Sequence, residues 1–108
     1  MTLTAAEVQL LEDCQDDWQG LWEAGWVQGG TRLEERVALV SGLVERGLLN
    51  VLRINDWPDA KGAPSLPKAG AIAVVIARES YAAPEEGHTG PFHVLAITQA
   101  GEVAVSER

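Results

Sequence analysis

The stretch "LVERGLLNVLRI", residues 43–54, contains the junction that decides the fold. Its first half continues an amphipathic helix whose apolar residues share one face: Leu33, Val37, Val40, Val44 and Leu48. Gly47 then supplies the residue type that most often closes a helix in the left-handed conformation. The residues after it are rich in β-branched and other apolar side chains. We therefore predict a helix over residues 31–47 that runs directly into a strand over residues 48–54.

The N-terminal quarter of the chain predicts one or two further helices. Thr4 and Glu7 have the spacing of a capping box, in which each side chain accepts a hydrogen bond from the other residue's amide. Apolar residues follow at helical spacing, but Gly20 weakens a continuous helix, and residues 16–19 could cap a second one. Residues 4–26 therefore form either one long helix or two shorter helices that meet near residue 16.

The second half of the chain predicts a small antiparallel sheet that contains an inserted segment. Residues 92–98 and 102–106 have strand composition on either side of a turn, which predicts a hairpin beside the strand of residues 48–54. Residues 66–79 are ambiguous, because valine and isoleucine favour a strand whereas the alanines and a first-turn proline favour a helix. We favour the helix. The predicted fold class is α+β, with residues 1–108 as one domain, since this length supports a single core.

Two parts of this pattern resemble a known fold family. "LVERGLL" with the strand after it, and "HVLAITQAGEVA" at residues 93–104, resemble the third helix, wing strand and return strand of winged-helix proteins such as the MarR-like repressors. "DDWQGLWEAGW", residues 16–26, together with that return strand, is similar to a group of small uncharacterised bacterial winged-helix-like proteins. The resemblance to the repressors covers about a third of the chain. It implies a helix-turn-helix-like, winged-helix-like fold, with N-terminal helices before the small antiparallel sheet.

The sequence departs from the repressor pattern between the two wing strands. The segment that separates them is about 35 residues long, far longer than a typical wing, and no basic residues crowd its tip. The resemblance itself specifies no ligand. Both departures argue against a wing that contacts DNA.

The charge of the chain also argues against nucleic acid as a partner. The sequence has 16 acidic and 8 basic residues, a formal net charge of −8, and every charged residue among the first thirty is acidic. Cationic groups supply most of the affinity for phosphates, so this surface repels nucleic acid and suits a basic protein better. The helix of residues 31–47 balances three arginines against three glutamates, which predicts a water-facing surface. A DNA-binding regulator, the alternative, needs four basic residues on one face: Arg32, Arg36, Arg53 and Lys61.

Three tryptophans recur at four-residue steps on the predicted N-terminal helix: Trp18, Trp22 and Trp26. They either pack in the core or anchor a partner, since large aromatic side chains are frequent energetic centres of interfaces. We expect Trp18 and Trp22 to be mostly buried and Trp26 to remain accessible. The predicted function is a non-catalytic protein-interaction module that binds a protein partner or self-associates. The candidate partner-binding residues are Trp26, Trp22, Arg32 and Arg36.

The sequence contains no motif typical of catalysis, of a cofactor site or of a metal site. His88 and His93 lie near Glu85 and Glu86, but their spacing fits no zinc motif. A small enzyme or metal-binding protein that uses the two histidines is therefore a second alternative. Cys14 has the helical spacing of a buried apolar residue. We expect no enzyme activity, no cofactor, no metal ion and no small-molecule ligand.

The N-terminus lacks the features of a secretory signal, because carboxylates appear early and no basic residues precede an apolar run. No stretch is long and apolar enough to span a bilayer. We therefore expect a cytoplasmic protein without a membrane partner.

Overall fold

The computed structural model describes residues 2–24, 32–55, 60–85, 87 and 91–107, which form an α+β structure of four α-helices and a three-stranded antiparallel sheet. The helices are α1 (Ala5–Asp16), α2 (Leu33–Glu45), α3 (Lys68–Val75) and α4 (Gln99–Ser106). The strands are β1 (Gln19–Gly20), β2 (Leu49–Ile54) and β3 (Phe92–Ile97). Within these residues, every helix is too short or too polar to cross a membrane.

The junction between α2 and β2 has the predicted geometry. Gly47 adopts a φ of 78°. Its amide donates to the carbonyl of Val44 and the amide of Leu48 donates to the carbonyl of Leu43, each at 3.0 Å. This pair of hydrogen bonds is the Schellman motif, which satisfies the last carbonyls of a helix and turns the chain into the next element. The helix-to-strand prediction is therefore confirmed, although the regular part of the helix is shorter than residues 31–47.

Strand β3 lies in the centre of the sheet, in the order β1-β3-β2. It pairs with β2 along its whole length, and Leu49 lies opposite Ile97 at one end of this register. The predicted strands of residues 48–54 and 92–98 are thus confirmed. The third predicted strand, residues 102–106, is wrong, because these residues belong to α4 and the third strand is β1.

The C-terminal residues form a helix because Thr98 caps it. The Thr98 hydroxyl accepts a hydrogen bond from the amide of Gly101 at 2.9 Å, which satisfies a donor in the first turn of α4. The same hydroxyl donates to the carbonyl of Gly47 at 2.7 Å. The amide of Thr98 donates to the carbonyl of Leu48 at 3.1 Å. The start of α4 is thus fixed to the end of α2.

The capping box at the start of α1 is confirmed. The Glu7 amide donates to the Thr4 hydroxyl at 3.1 Å, and the Thr4 amide donates to the Glu7 carboxylate at 2.8 Å. The helix ends at Asp16, because the next residue, Asp17, is extended with a φ of −164°. Residues 4–24 therefore contain one helix followed by a strand and a turn, instead of one long helix or two.

The predicted helical stripe of tryptophans is wrong. Trp18 immediately precedes β1 and Trp22 lies in the turn that follows it. Both side chains pack against the hydrophobic cluster on one face of the sheet, but they are half-buried instead of mostly buried as predicted. Trp26 lies outside the described residues.

Residues 66–79 form mainly a helix, as favoured from the sequence. Helix α3 begins after Pro67, and a 3-10 helix, Arg78–Tyr81, follows it. The hydroxyl of Tyr81 donates to the carbonyl of Val75 at 2.6 Å, which stabilises the end of α3. Pro67 occupies the N-cap instead of the first turn, and the alanines that follow favour the helix through their high helix propensity.

Each face of the sheet packs against its own hydrophobic cluster. On one face, Val51 and Leu95 pack with apolar residues of all four helices, and Cys14 is buried there as predicted. Burial raises the pKa of the Cys14 thiol to about 12. On the other face, Leu52 and Val94 form a second cluster that Trp18, Trp22 and Ala60 help to cover. Because both faces are covered, consecutive residues of the strands are buried.

Two glycine-to-alanine substitutions test the contact between α4 and the α2 junction. A Cβ at Gly101 would lie 2.3 Å from the backbone oxygen of Leu48, so Gly101→Ala should lower the free energy of unfolding by about 1–3 kcal/mol. A Cβ at Gly42, inside α2, would meet no atom within 4 Å. Gly42→Ala should therefore raise the free energy of unfolding by about 0.5–1 kcal/mol. Urea unfolding of both variants checks this, and equal effects would contradict it.

Candidate functional site

An open depression of about 350 Å³ lies where β3 begins. Trp22 and Phe92 provide aromatic walls, and the polar lining comes from Glu79, Ser80, Glu85 and His93. Its volume is at the small end of the range for ligand-binding pockets. We call this depression the Trp22 pocket.

Three contacts fix Trp22, two at its ring and one at its backbone. Its ring lies so close to Gly20 that a Cβ there would be 2.6 Å from a ring carbon. The ring also packs against Phe92, with centroids 5.9 Å apart and planes tilted by 53°. The carbonyl of Trp22 accepts a hydrogen bond from the Arg36 guanidinium at 2.9 Å. The aromatic wall of the pocket is therefore held in place by the protein itself.

Arg36 is the buried residue that holds the turn containing Trp22. Its side chain extends from α2, and the residue is only 6% exposed. Besides its bond to Trp22, it donates from Nε to the carbonyl of Ala24 at 2.9 Å, and its guanidinium lies 5.6 Å from the ring centroid of Tyr81. Desolvation by burial lowers the pKa of Arg36, and this effect opposes the influence of Tyr81. The prediction of a water-facing Arg36 is wrong, because its guanidinium binds carbonyls of a turn packed against the helix.

The structure brings together only some of the predicted partner-binding residues. Trp22 lines the pocket and Arg36 supports it, whereas the Arg32 side chain is 80% exposed and pairs with Glu35 at 3.2 Å on the helix surface. Arg32 does not line the Trp22 pocket. Trp26 lies outside the described residues.

His93 is half-buried on β3, opposite Arg53 of β2. Desolvation by burial, with a smaller effect of the Arg53 charge, lowers the pKa of His93 below its ordinary value of 6.5. His88 and Glu86 lie outside the described residues, so the predicted histidine pair has only one described member. In the ranges that the structure covers, no three His, Cys, Asp or Glu side chains are grouped to hold a metal ion.

The described lining of the Trp22 pocket is acidic and aromatic, with no lysine or arginine. Both glutamates are exposed. Arg78 is adjacent to Glu79 in sequence, but it forms an ion pair with Glu34 of α2 at 3.1 Å. The sequence indicates the proximity of Glu85 and His93, but it does not indicate that Glu79, Ser80 and Trp22 join them. No local sequence pattern indicates these contacts.

Matched substitutions of two arginines test the support of the Trp22 turn. Arg36→Ala removes charged donors from two carbonyls, so it should lower the free energy of unfolding by roughly 2–4 kcal/mol. Arg32→Ala removes an exposed pair and should change it by less than about 0.5 kcal/mol. Denaturant unfolding measures both values, and similar small losses in the two variants would contradict the assigned role of Arg36.

The lowered pKa of His93 predicts a pH dependence of stability. The unfolded chain binds a proton at His93 more tightly than the folded protein does, so protonation of His93 lowers the free energy of unfolding. The contribution of the neutral imidazole to stability is therefore fully present above about pH 6.5 and is lost as pH falls through the folded-state pKa. Thermal unfolding of wild type and His93→Gln between about pH 7.5 and pH 5 checks this. The wild type should lose more stability than the variant over this range, whereas parallel curves would contradict the shift.

Comparison of the chain with known protein families, with curated proteins and with solved structures finds no match.

Proposed function

We propose that this protein is a non-catalytic protein-interaction module with a winged-helix-like fold, and that its partner is a protein with a basic surface. The observation that carries the proposal is that the arginines on α2 and at its caps already make contacts within the protein. In a DNA-reading winged helix, this helix enters the major groove and presents basic and polar side chains to bases and phosphates. Here each of these arginines has a contact within the protein, and only Arg36 is buried.

The arginines of α2 and its caps have three different intramolecular roles. Arg36 is buried against backbone carbonyls, Arg32 pairs with Glu35, and Arg46 pairs with Glu7 of α1. The burial of Arg36 also removes one of the four basic residues that a DNA-binding face would require. Arg53 and Lys61 are exposed, but they lie on β2 and on the loop after it. This arrangement supports a partner other than nucleic acid.

The winged-helix part of the proposal is supported by the order of the elements. Helix α2 turns through Gly47 directly into β2, and β2 pairs antiparallel with β3 after a long excursion. This is the order expected from the third helix and the two wing strands of the resemblance, although one helix, α1, precedes α2 within the described residues. The excursion contains α3, and α4 follows β3, so both the segment between the wing strands and the region after them depart from the repressor pattern.

The protein-partner part is supported by aromatic side chains at an acidic surface. Trp18 and Trp22 cover one face of the sheet and keep part of their surface exposed. A second depression, of about 250 Å³, is lined by Trp18 together with Asp16, Asp17 and Ile97. Tryptophan frequently anchors protein interfaces, and charges at the rim select a partner of opposite sign. The cytoplasmic location predicted from the sequence stays a prediction.

A DNA-binding measurement separates this proposal from the regulator alternative. Fluorescence anisotropy with a random-sequence DNA duplex should give a dissociation constant weaker than about 10⁻⁴ M at physiological salt, because few cations are available to displace counterions. A micromolar affinity that falls steeply with salt would overturn the proposal and favour a DNA-binding regulator.

A peptide selection tests the protein partner directly. Random peptides displayed on phage and selected on the folded protein should be enriched in lysine and arginine beside apolar residues. Enriched peptides should bind the double variant Asp16→Asn/Asp17→Asn more weakly than they bind a control variant. The control, Glu45→Gln/Glu102→Gln, has the same change in net charge. Selection without enrichment of basic residues, or equal binding to the two variants, would contradict the proposed acidic aromatic surface.

A further inference from the structure

We infer that the Trp22 pocket binds an organic cation, namely an alkylammonium or guanidinium group on an apolar stem. The pocket combines an aromatic wall of fixed orientation, two carboxylates and a volume of about 350 Å³. No small-molecule site is expected from the sequence, and Trp22 is the one predicted partner-binding residue in the described lining.

The aromatic wall of the pocket can attract a cation. A cation near the face of a tryptophan ring is attracted by the ring quadrupole, and tryptophan is the most favourable aromatic residue for this contact. Gly20 and Phe92 fix the Trp22 ring, and Arg36 fixes its backbone. Little side-chain freedom is therefore lost when a ligand binds, which favours affinity. Phe92 extends the apolar surface that an alkyl stem would contact.

The charge of the lining also favours a cation. Glu79 and Glu85 place two carboxylates at the pocket, while its described lining contains no cationic side chain. Three arginines lie near this region but outside the described lining: Arg36 donates to backbone carbonyls, Arg78 pairs with Glu34, and Arg53 lies opposite His93 on β2. The lining thus favours a positively charged ligand and disfavours phosphates and carboxylates.

The lining also offers hydrogen-bond acceptors for such a cation. Ammonium and guanidinium groups only donate hydrogen bonds, so a site for them must offer acceptors. The carboxylates and the Ser80 hydroxyl can accept. Because the pKa of His93 is lowered, its imidazole is largely neutral near pH 7 and can also accept one.

This inference goes beyond the proposed function, because the same chemistry is present in a free amine and in the lysine or arginine side chain of a partner. The experiment therefore includes both sources. The small probes are n-butylammonium, n-propylguanidinium and the neutral isostere n-propylurea. The third type of probe is a short glycine-rich peptide with one central arginine, with its citrulline analogue as the uncharged control.

NMR titration of the ¹⁵N-labelled protein follows each probe. The cations should shift the indole signal of Trp22 and the amides of residues 79–85 and 91–93, whereas n-propylurea and the citrulline peptide should shift them little. Saturation by the small cations assigns the site to free amines as well, and saturation by the arginine peptide alone assigns it to a partner side chain. Either result supports the inference. Failure of the phage selection alone would count against the proposed function and not against this site.

Charge variants measure the contribution of the carboxylates. Glu79→Gln/Glu85→Gln should weaken the binding of n-propylguanidinium about fivefold to tenfold. The matched control, Glu102→Gln/Glu107→Gln, makes the same change in net charge at exposed residues of the C-terminal helix region and should leave binding within about twofold. Because these glutamates are exposed, both variants should fold normally.

A third variant tests the aromatic wall. Gly20→Ala should displace the Trp22 ring without changing the charge, and it should weaken binding about threefold or more in the folded fraction. Absence of shifts with every cation at millimolar concentration would overturn the inference. Equal binding of n-propylurea, or shifts confined to other surfaces, would also overturn it.

Discussion

The hydroxyl of Thr98 makes the contact on which the arrangement of helices around the sheet depends. It donates to the carbonyl of Gly47 and accepts from the amide of Gly101, so one side chain joins the end of α2 to the start of α4. The backbone of α4 can approach Leu48 this closely because residue 101 is a glycine. The contact also sets where β3 ends, since Thr98 follows directly after Ile97. Helix α4 is thereby held against the core that α1 and α2 form on the sheet.

A second buried contact connects the helices of the core to the candidate site. Arg36 extends from α2 and binds the carbonyls of Trp22 and Ala24, so a helix of the core fixes the turn that carries the pocket wall. A buried guanidinium is costly unless its donors are satisfied, and here two backbone acceptors and the face of Tyr81 compensate for the lost water. The chemistry of the Trp22 pocket and the stability of the fold are therefore coupled through one side chain.

The features that could be predicted from the sequence are those that short-range contacts determine. The Thr4 capping box and the left-handed Gly47 depend on residues within one helical turn of each other, and both have the expected geometry. The α+β class follows from the same patterns. Helical spacing alone could not show that residue 17 becomes extended, which separates the tryptophans from α1.

The errors arose where distant residues decide the local structure. The segment after Thr98 has a turn-like sequence, but its cap and its contact with Leu48 make it a helix. The role of Arg36 depends on carbonyls of a turn more than ten residues away, and no pattern on α2 indicates them. For the same reason, the sequence indicated the grouping of Glu85 with His93 but could not indicate that Trp22 closes the same pocket.

The central position of β3 has a consequence for how the chain folds during synthesis. Both neighbours of β3 precede it in sequence, and Gln19 of β1 pairs with Leu95, so the sheet closes through contacts of very long sequence separation. Such contacts are slow to form because a long loop must be ordered first. Until the ribosome has made residues 92–97, the apolar side chains of β2 have no partner strand and are a potential site of aggregation. Early formation of α2, which joins β2 through the Gly47 junction and packs on it, would shield one face of β2 during this interval.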